Sequence, residues 1–216
     1  MIKNVIFDLD GVLVSTDELH YNAWKRLAEE LGITDFTKED NEKQRGVSRM
    51  ESLEVVLRKG TKEYSEEEKV ALAERKNDYY KEMLETIDES VILAGAVDTL
   101  KMLKKEGIGI AVGSASKNTA MILSKTNLEQ YIDKVSCGLD TTKSKPDPEV
   151  FVIAAAKLEA NQSECLVVED SAAGIVAAKA AGMRSLGVGP YYKSLGADYE
   201  ARTLADEIDW RKIFSE

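Results

Sequence analysis

The sequence predicts an α/β protein, built on a Rossmann-like, doubly wound parallel sheet with an inserted all-helical subdomain. Two observations predict the sheet: short runs that are apolar on both faces, and helical patterns that separate these runs along the chain. A third predicts the insertion, because residues 16–88 contain helical patterns only. We therefore expect residues 1–15 and 89–216 to form a core domain and residues 16–88 to form a helical cap domain.

Each element has its own signal. The predicted strands are Val5–Leu9, Ile108–Val112, Lys134–Cys137, Cys165–Val168 and Ser185–Val188. The predicted helices are 96–106, 117–126, 148–159 and 172–181 in the core, and Glu18–Leu31, Ser48–Arg58 and Ser65–Ile87 in the insertion. Ser48 with Glu51 and Ser65 with Glu68 fit the capping box at a helix start. Asp147-Pro148 fits an N-cap followed by the first helical residue, and Gly182 fits a helix stop.

Composition narrows the class of protein. The chain has 216 residues, of which 44% are hydrophobic and 31% charged, which is typical of a globular domain and excludes a disordered chain. A net charge of −10 excludes a general basic surface, so we expect neither nucleic acid nor a membrane as a partner. Cys137 and Cys165 form no close pair, which favours free thiols in the cytoplasm. We expect a monomer.

Two acidic pairs follow predicted strands. Asp8 and Asp10 lie two residues apart, on one face of the first strand, and Glu169-Asp170 follows a later one. The carboxyl ends of parallel strands meet at one edge of the sheet, where ligands bind. Carboxylates gathered there repel one another unless a hard cation neutralises them, so the sequence predicts bound Mg²⁺. A single histidine, His20, excludes a histidine-rich metal site.

Two further strand ends predict phosphoryl transfer. Ser114 follows a strand and offers a hydroxyl beside the amides of a helix start. Lys145 precedes the stiff segment Pro146-Asp147-Pro148, which could aim its ammonium group inward. Phosphoryl transfer needs a nucleophile, a metal and positive charge around one phosphoryl group.

These residues resemble the haloacid dehalogenase superfamily of phosphotransferases. Asp8-Leu9-Asp10-Gly11-Val12 is similar to its first motif, and Ser114, Lys145-Pro146 and Glu169-Asp170-Ser171 match the next three in order. The resemblance implies that Asp8 is the nucleophile, which forms an aspartyl phosphate, and that Asp10 is the general acid and base. It also implies phosphoryl binding by Ser114 and Lys145, and Mg²⁺ binding by Asp8, Glu169, Asp170 and the main-chain carbonyl of Asp10.

The insertion contains Thr16 with His20, Ala23-Trp24-Lys25, Arg45-Gly46-Val47-Ser48-Arg49 and Arg75-Lys76-Asn77-Asp78. With these stretches it resembles the helical cap of one subclass of that superfamily, and in particular its sugar-phosphate mutases. This resemblance implies interconversion of β-D-glucose 1-phosphate and β-D-glucose 6-phosphate through a bound β-glucose 1,6-bisphosphate. It also implies that small-molecule sugar phosphates are bound by Thr16, His20, Trp24, Arg45, Gly46, Val47, Ser48, Arg49, Lys76, Asn77, Ser114, Ala115, Ser116, Lys117, Asn118 and Lys145.

Arg49 gives the most specific expectation about the substrate. With Ser48 as N-cap, Arg49 lies at the first helical position, beside unpaired amides that favour an anion. Its guanidinium group can bind a second phosphate in a bidentate manner, as a mutase requires. A sugar-phosphate phosphatase, which uses water as acceptor, is the alternative reading. A non-catalytic sugar-phosphate-binding protein is the third, and the intact acidic motifs argue against it.

Overall fold

The computed structural model describes residues 1–44 and 47–216. The elements of this part of the chain are β1 (Asn4–Phe7), α1 (Asp17–Glu30), α2 (Lys38–Glu42), α3 (Arg49–Leu57), α4 (Glu66–Leu84), α5 (Ala96–Lys105), β2 (Gly109–Gly113), α6 (Thr119–Lys125), β3 (Lys134–Ser136), α7 (Glu149–Lys157), β4 (Cys165–Glu169), α8 (Ala172–Ala180), β5 (Arg184–Gly187), β6 (Tyr199–Glu200) and α9 (Trp210–Ser215). Short 3₁₀ turns lie at Glu89–Val91, Leu128–Tyr131, Gln162–Glu164 and Tyr192–Ser194.

The strands form one parallel sheet in the order β3-β2-β1-β4-β5-β6. Strand β1 is central, and Val5 lies between Ile110 of β2 and Leu166 of β4. The parallel α/β fold predicted from the sequence is therefore confirmed. The two-residue strand β6 is an addition, since a segment this short has no alternation that sequence analysis could detect.

Both faces of the sheet are covered. Val5 and Phe7 of β1 belong to the larger apolar cluster, to which α5, α6 and α9 contribute, whereas Ile6 points into the cluster formed with α7 and α8. All three side chains are inaccessible to solvent. Burial on both faces explains why the strands are continuously apolar, and it leaves the carboxyl edge of the sheet as the place for polar side chains.

Helices α1 to α4 form a helical block between β1 and the rest of the sheet body. Most of their buried apolar side chains, among them Trp24, Leu27 and Leu53, pack into a separate cluster, whereas Tyr80 and Leu84 of α4 join the larger cluster of the sheet body. Leu31 packs partly buried against the separate cluster. No strand occurs among the described residues of the block. The division of the chain into two domains at residues 16 and 88 stays a prediction.

The helix boundaries differ from the sequence predictions by one to three residues, most at the end of α4, which is Leu84 and not Ile87. Helix α2 was not predicted; Thr37 caps it in a capping box with Asp40, whose carboxylate replaces the glutamate of the usual signature. Helix α7 begins one residue later than expected, because Pro148 is the N-cap and Asp147 accepts a hydrogen bond from the amide of Glu149 at 3.0 Å. Among the helices that the structure describes, none has the length and apolar character required to span a membrane.

Candidate active site

Asp8 lies directly after β1, at the carboxyl edge of the sheet. The strand ends at Phe7 and not at Leu9, so the prediction that Asp8 and Asp10 share one face of the strand is wrong. The amide of Asp8 donates to the carbonyl of Val168 at 2.9 Å, which continues the β1–β4 pairing by one residue and fixes the backbone below the carboxylate.

The side chain of Asp8 is buried and lines a cleft of about 450 Å³ between the sheet body and the helical block. Burial is the main reason that the pKa of Asp8 is raised to about 7. The charge of Lys145 lowers this pKa, and the charge of Glu169 raises it.

Lys145 is a buried cation between two carboxylates. Its Nζ lies 2.7 Å from Oδ1 of Asp8 and 2.5 Å from Oε1 of Glu169, and only 2% of the residue is exposed. Burial alone would lower the pKa of Lys145, but the charges of Asp8 and Glu169 raise it above its ordinary value. The lysine therefore stays charged and can meet an anionic group next to Asp8.

Three carboxylates at this edge could hold a metal ion. Asp8, Glu169 and Asp170 each offer an oxygen, and these oxygens lie within 4.8 Å of one another. Two glycines leave room for them: a Cβ at Gly11 would lie 2.1 Å from Oδ2 of Asp170, and a Cβ at Gly174 would lie 1.9 Å from Oε1 of Glu169. Acidic oxygen ligands of this kind, in excess over one ammonium group, fit a hard divalent cation.

Asp10 is turned towards the entrance of the helical block. It accepts a hydrogen bond from the Thr16 hydroxyl, which in turn accepts one from Tyr80 at 2.9 Å. Burial raises the pKa of Asp10 to about 6, although the bond from Thr16 lowers it. A carboxyl group that titrates close to neutrality is suited to both giving and taking a proton.

The strand ends of β2 and β3 add polar groups to the same edge. Ser114 is buried, its amide donates to the carbonyl of Ser136, and its oxygen accepts from the amide of Ser116 at 3.1 Å. The Ser114 hydroxyl can still donate its own proton to an anion. Ser116 accepts a hydrogen bond from the amide of Asn118 at 3.1 Å, and Asn118 occupies the N-cap position of α6.

The helical block brings a second set of cations to the cleft. Arg49 donates to Oε1 of Glu74 at 2.7 Å and to Oδ1 of Asn77 at 2.9 Å. Lys76 is 3% exposed, and its Nζ lies at hydrogen-bond distance, 2.9 Å, from Nδ1 of His20.

Burial disfavours the charged forms of His20 and Lys76 at this end of the cleft. Burial, then Lys76 and Arg49, hold the pKa of His20 well below its usual range. Burial and Arg49 likewise lower the pKa of Lys76, while Asp10 acts in the opposite sense. An anion bound among these groups would offset that cost.

Aromatic rings form the wall around Lys76. Its Nζ lies 4.6 Å from the ring centre of Trp24 and 4.8 Å from that of Tyr80, and His20 stacks on Tyr80. We call Asp8, Asp10, Lys145, Glu169 and Asp170 the reactive end of the cleft, and Arg49, Lys76 and His20 its distal end.

The cleft brings together most of the residues predicted from sequence. Those that line it are Asp8, Asp10, His20, Trp24, Val47, Ser48, Arg49, Lys76, Asn77, Ser114, Ala115, Ser116, Lys117, Asn118, Lys145 and Asp170. Thr16 and Glu169 lie behind this wall, fully buried. Arg45 and Gly46 lie outside the described residues.

Several lining residues were missed by sequence analysis. Glu74 and Tyr80 lie on α4 one turn from Asn77 and Lys76 respectively, and this helical spacing could have identified them. Glu51 does not line the cleft itself and was identified only as part of a capping box, yet it accepts a hydrogen bond from Ser144 of the sheet body at 2.7 Å. No local pattern predicts that pairing.

The comparisons with known proteins agree with this geometry. Residues 5–188 match the model of the haloacid dehalogenase-like hydrolase family, and the chain belongs to that family, as the four motifs predicted. It is accordingly an enzyme of this family. It is 41% identical to a β-phosphoglucomutase of Bacillus subtilis over 210 residues, which are 95% of this chain and 91% of the relative.

Two further similarities mark out the range of relatives. A crystal structure of β-phosphoglucomutase from Clostridium difficile superposes with a TM-score of 0.91 at 38% identity, covering 99% of this chain and 97% of the other. A phosphorylated carbohydrates phosphatase of Thermotoga maritima is 29% identical over 86% of this chain and 84% of its own length. Mutases and a phosphatase therefore both occur among the similar proteins.

Proposed function

We propose that the chain is a Mg²⁺-dependent β-phosphoglucomutase, which interconverts β-D-glucose 1-phosphate and β-D-glucose 6-phosphate through an aspartyl-phosphate enzyme. The observation that carries this proposal is the two-ended cleft. A mutase must hold one phosphate of a bisphosphate while the other reacts. Asp8 and Lys145 lie at one end, whereas Arg49 and Lys76 lie at the other.

The reaction consists of two phosphoryl transfers. The phosphoryl group on Asp8 passes to the 6-hydroxyl of β-glucose 1-phosphate, while Asp10 takes the hydroxyl proton and the bond from phosphorus to Asp8 breaks. The resulting β-glucose 1,6-bisphosphate then binds in the opposite orientation. Asp8 attacks the phosphorus of the 1-phosphate, the bond to the sugar oxygen breaks, and Asp10 returns its proton to that oxygen. Glucose 6-phosphate leaves, and the phosphoenzyme is restored.

The reactive end supplies the charge that this transfer needs. Lys145 and Ser114 bind the phosphoryl oxygens in both transfers, since both lie beside Asp8 at the carboxyl edge. When bound, Mg²⁺ would be held by Asp8, Glu169, Asp170 and the carbonyl of Asp10, and would neutralise charge on the transferring group. The pKa of about 6 at Asp10 supports its role in both proton transfers.

The distal end holds the phosphate that does not react. Arg49 offers its guanidinium from the first turn of α3, and Lys76 adds an ammonium group against an aromatic wall. We propose residues 16–88 as a cap domain that excludes water from the aspartyl phosphate. We also propose that the enzyme acts as a monomer in the cytoplasm, where Cys137 and Cys165 remain free.

A sugar-phosphate phosphatase is the second candidate. The similarity to the Thermotoga phosphatase favours it, because a phosphatase could also use Arg49 to recognise a distal phosphate. In that case water, and not a sugar hydroxyl, would attack the aspartyl phosphate.

One assay separates the two candidates. The Mg²⁺-loaded enzyme is given β-glucose 1-phosphate with a catalytic amount of β-glucose 1,6-bisphosphate, and glucose 6-phosphate and inorganic phosphate are both followed over time. The mutase proposal expects glucose 6-phosphate as the main product and a strong dependence on the bisphosphate. Release of phosphate at a rate equal to or above that of glucose 6-phosphate would make the phosphatase the better assignment.

A further inference from the structure

One carboxylate of the helical block contacts both sides of the cleft. Oε2 of Glu51 accepts the amide and the hydroxyl of Ser48 at 2.8 and 2.7 Å, which closes the capping box of α3. The same oxygen accepts the hydroxyl of Ser144 at 2.7 Å, from the sheet body. Glu51 therefore fixes the start of the helix that carries Arg49 and at the same time bonds the opposite wall.

Ser144 lies in the sheet body, next to the reactive end of the cleft. It directly precedes Lys145, whose ammonium group lies against Asp8 and Glu169. The Ser144–Glu51 hydrogen bond thus joins the loop that holds the reactive end to the helix that holds the distal end. A second bond crosses the cleft nearby, from the amide group of Asn118 to Asn77, which also accepts from Arg49.

We propose that Ser144 and Glu51 form a latch across the mouth of the cleft, and that both are positioning residues for the isomerisation. This proposal rests on the mutase assignment. The bond forms only when the helical block lies against the sheet body, because its two partners belong to opposite walls. When the latch is closed, Arg49 and Lys145 are held at a set separation, which suits a bisphosphate spanning the two ends.

Because Glu51 also belongs to the capping box of α3, Ser144 is the better residue to substitute. Removal of the Glu51 side chain would also uncap α3, whereas Ser144→Ala removes the bond across the cleft and leaves the Ser48–Glu51 bonds intact. Ser144→Thr keeps the hydroxyl and serves as the conservative variant. Thr142→Ala is a matched control in the same loop, because the Thr142 hydroxyl bonds Glu149 within the sheet body.

The expected effect differs between two substrates. A hydrogen bond to an exposed carboxylate should be worth about a five- to tenfold change, so kcat/KM for β-glucose 1-phosphate should fall by about that factor in Ser144→Ala. Hydrolysis of acetyl phosphate, which has no distal phosphate to position, should stay within about twofold. Ser144→Thr should recover most of the isomerisation, and Thr142→Ala should match the wild type.

Closure itself gives a readout independent of turnover. Small-angle X-ray scattering of the ligand-free proteins should give a larger radius of gyration for Ser144→Ala than for the wild type and Ser144→Thr. An unchanged radius, or an equal loss on both substrates, would overturn the latch. If the wild type instead releases phosphate and forms no glucose 6-phosphate, the mutase assignment fails, whereas the scattering comparison still decides whether the latch exists.

Discussion

The two ends of the cleft solve the problem of buried charge in opposite ways. At the reactive end, side chains from strand ends place the ammonium group of Lys145 between two carboxylates. At the distal end, the side chains come from helices, and Nζ of Lys76 lies at hydrogen-bond distance from the ring of His20. Arg49 pairs with Glu74, which is half exposed and can be replaced by an incoming phosphate. At the reactive end, the buried lysine is therefore already paired within the protein and the excess of carboxylate is left for a metal ion, whereas the distal end is completed by the phosphate of the substrate.

The largest expected effect comes from removing the nucleophile. Asp8→Asn keeps the size of the side chain and its contact with Lys145, so the protein should fold, but the amide cannot form a stable acyl phosphate. We expect isomerisation and acetyl phosphate hydrolysis both to fall by at least about a thousandfold. Mass spectrometry after incubation with acetyl phosphate should detect no added phosphoryl group. Substantial turnover in a metal-replete preparation would remove Asp8 from this role.

Removal of the metal ion should abolish phosphoryl transfer at the reactive end reversibly. Chelation should abolish both activities, and added Mg²⁺ should restore them, because Asp8, Glu169 and Asp170 would otherwise repel the substrate phosphate. Mg²⁺ should also raise the melting temperature, since it binds the folded protein in preference to the unfolded chain. Full activity in excess chelator would contradict the metal site.

Two matched lysine variants sharpen the contrast in stability. Lys145→Met leaves Asp8 and Glu169 buried without their cation, so the metal-free protein should lose about 3–5 kcal/mol of unfolding free energy. Lys76→Met removes a cation whose burial already lowers its pKa. The free energy of unfolding should therefore stay within about 1 kcal/mol of the wild-type value, or increase. Urea unfolding at pH 7 in chelator measures both. Equal losses would show that the two ends do not differ in charge balance.

A smaller effect concerns the ion pairs that support the helical block. Asp40 accepts from Lys59 at 2.5 Å and Lys43 at 2.9 Å. Burial alone would raise the pKa of Asp40, but these partners and the capping contacts with Thr37 hold it well below its usual value.

The pKa of Asp40 is lower in the folded protein than in the unfolded chain, so the unfolded chain binds the proton more readily than the folded protein does. The contribution of Asp40 to stability is therefore present above about pH 4 and is lost as the pH falls further. Asp40→Asn should therefore cost about 1 kcal/mol at pH 7, and the difference from the wild type should shrink between pH 4 and pH 3. Urea unfolding of both proteins at pH 7, 4 and 3 measures this difference in unfolding free energy. A difference independent of pH would show that the charge of Asp40 is not the cause.

The acidic residues of the reactive end could be predicted from sequence because they lie at or just after the ends of strands, whereas Lys145 lies in the longer loop after β3. Five apolar runs are long enough to be recognised, and a parallel sheet brings their carboxyl ends together whatever the loops do. Asp8, Ser114 and Asp170 therefore meet as predicted. The structure shifts β2 by only one residue, to Gly109–Gly113.

The distal end and the latch are harder to derive from sequence. Arg49 and Lys76 were identified through a resemblance, because a cation on a helix is ordinarily solvated. Ser144 and Glu51 are 93 residues apart, and their bond depends on how the helical block docks on the sheet. Helix α2 and strand β6 escape prediction because five and two residues are too few to show periodicity.

The central claim, that the two ends have separate tasks, is tested most directly by Arg49→Ala with two substrates. Loss of a charge-assisted contact worth about 1.5–3 kcal/mol should lower kcat/KM for β-glucose 1-phosphate by about ten- to a hundredfold. Acetyl phosphate needs only the reactive end, so its hydrolysis should change by less than about twofold. The ratio of the two activities should thus shift by at least about fivefold. An unchanged ratio, whether both activities persist or both fall together, would contradict the account.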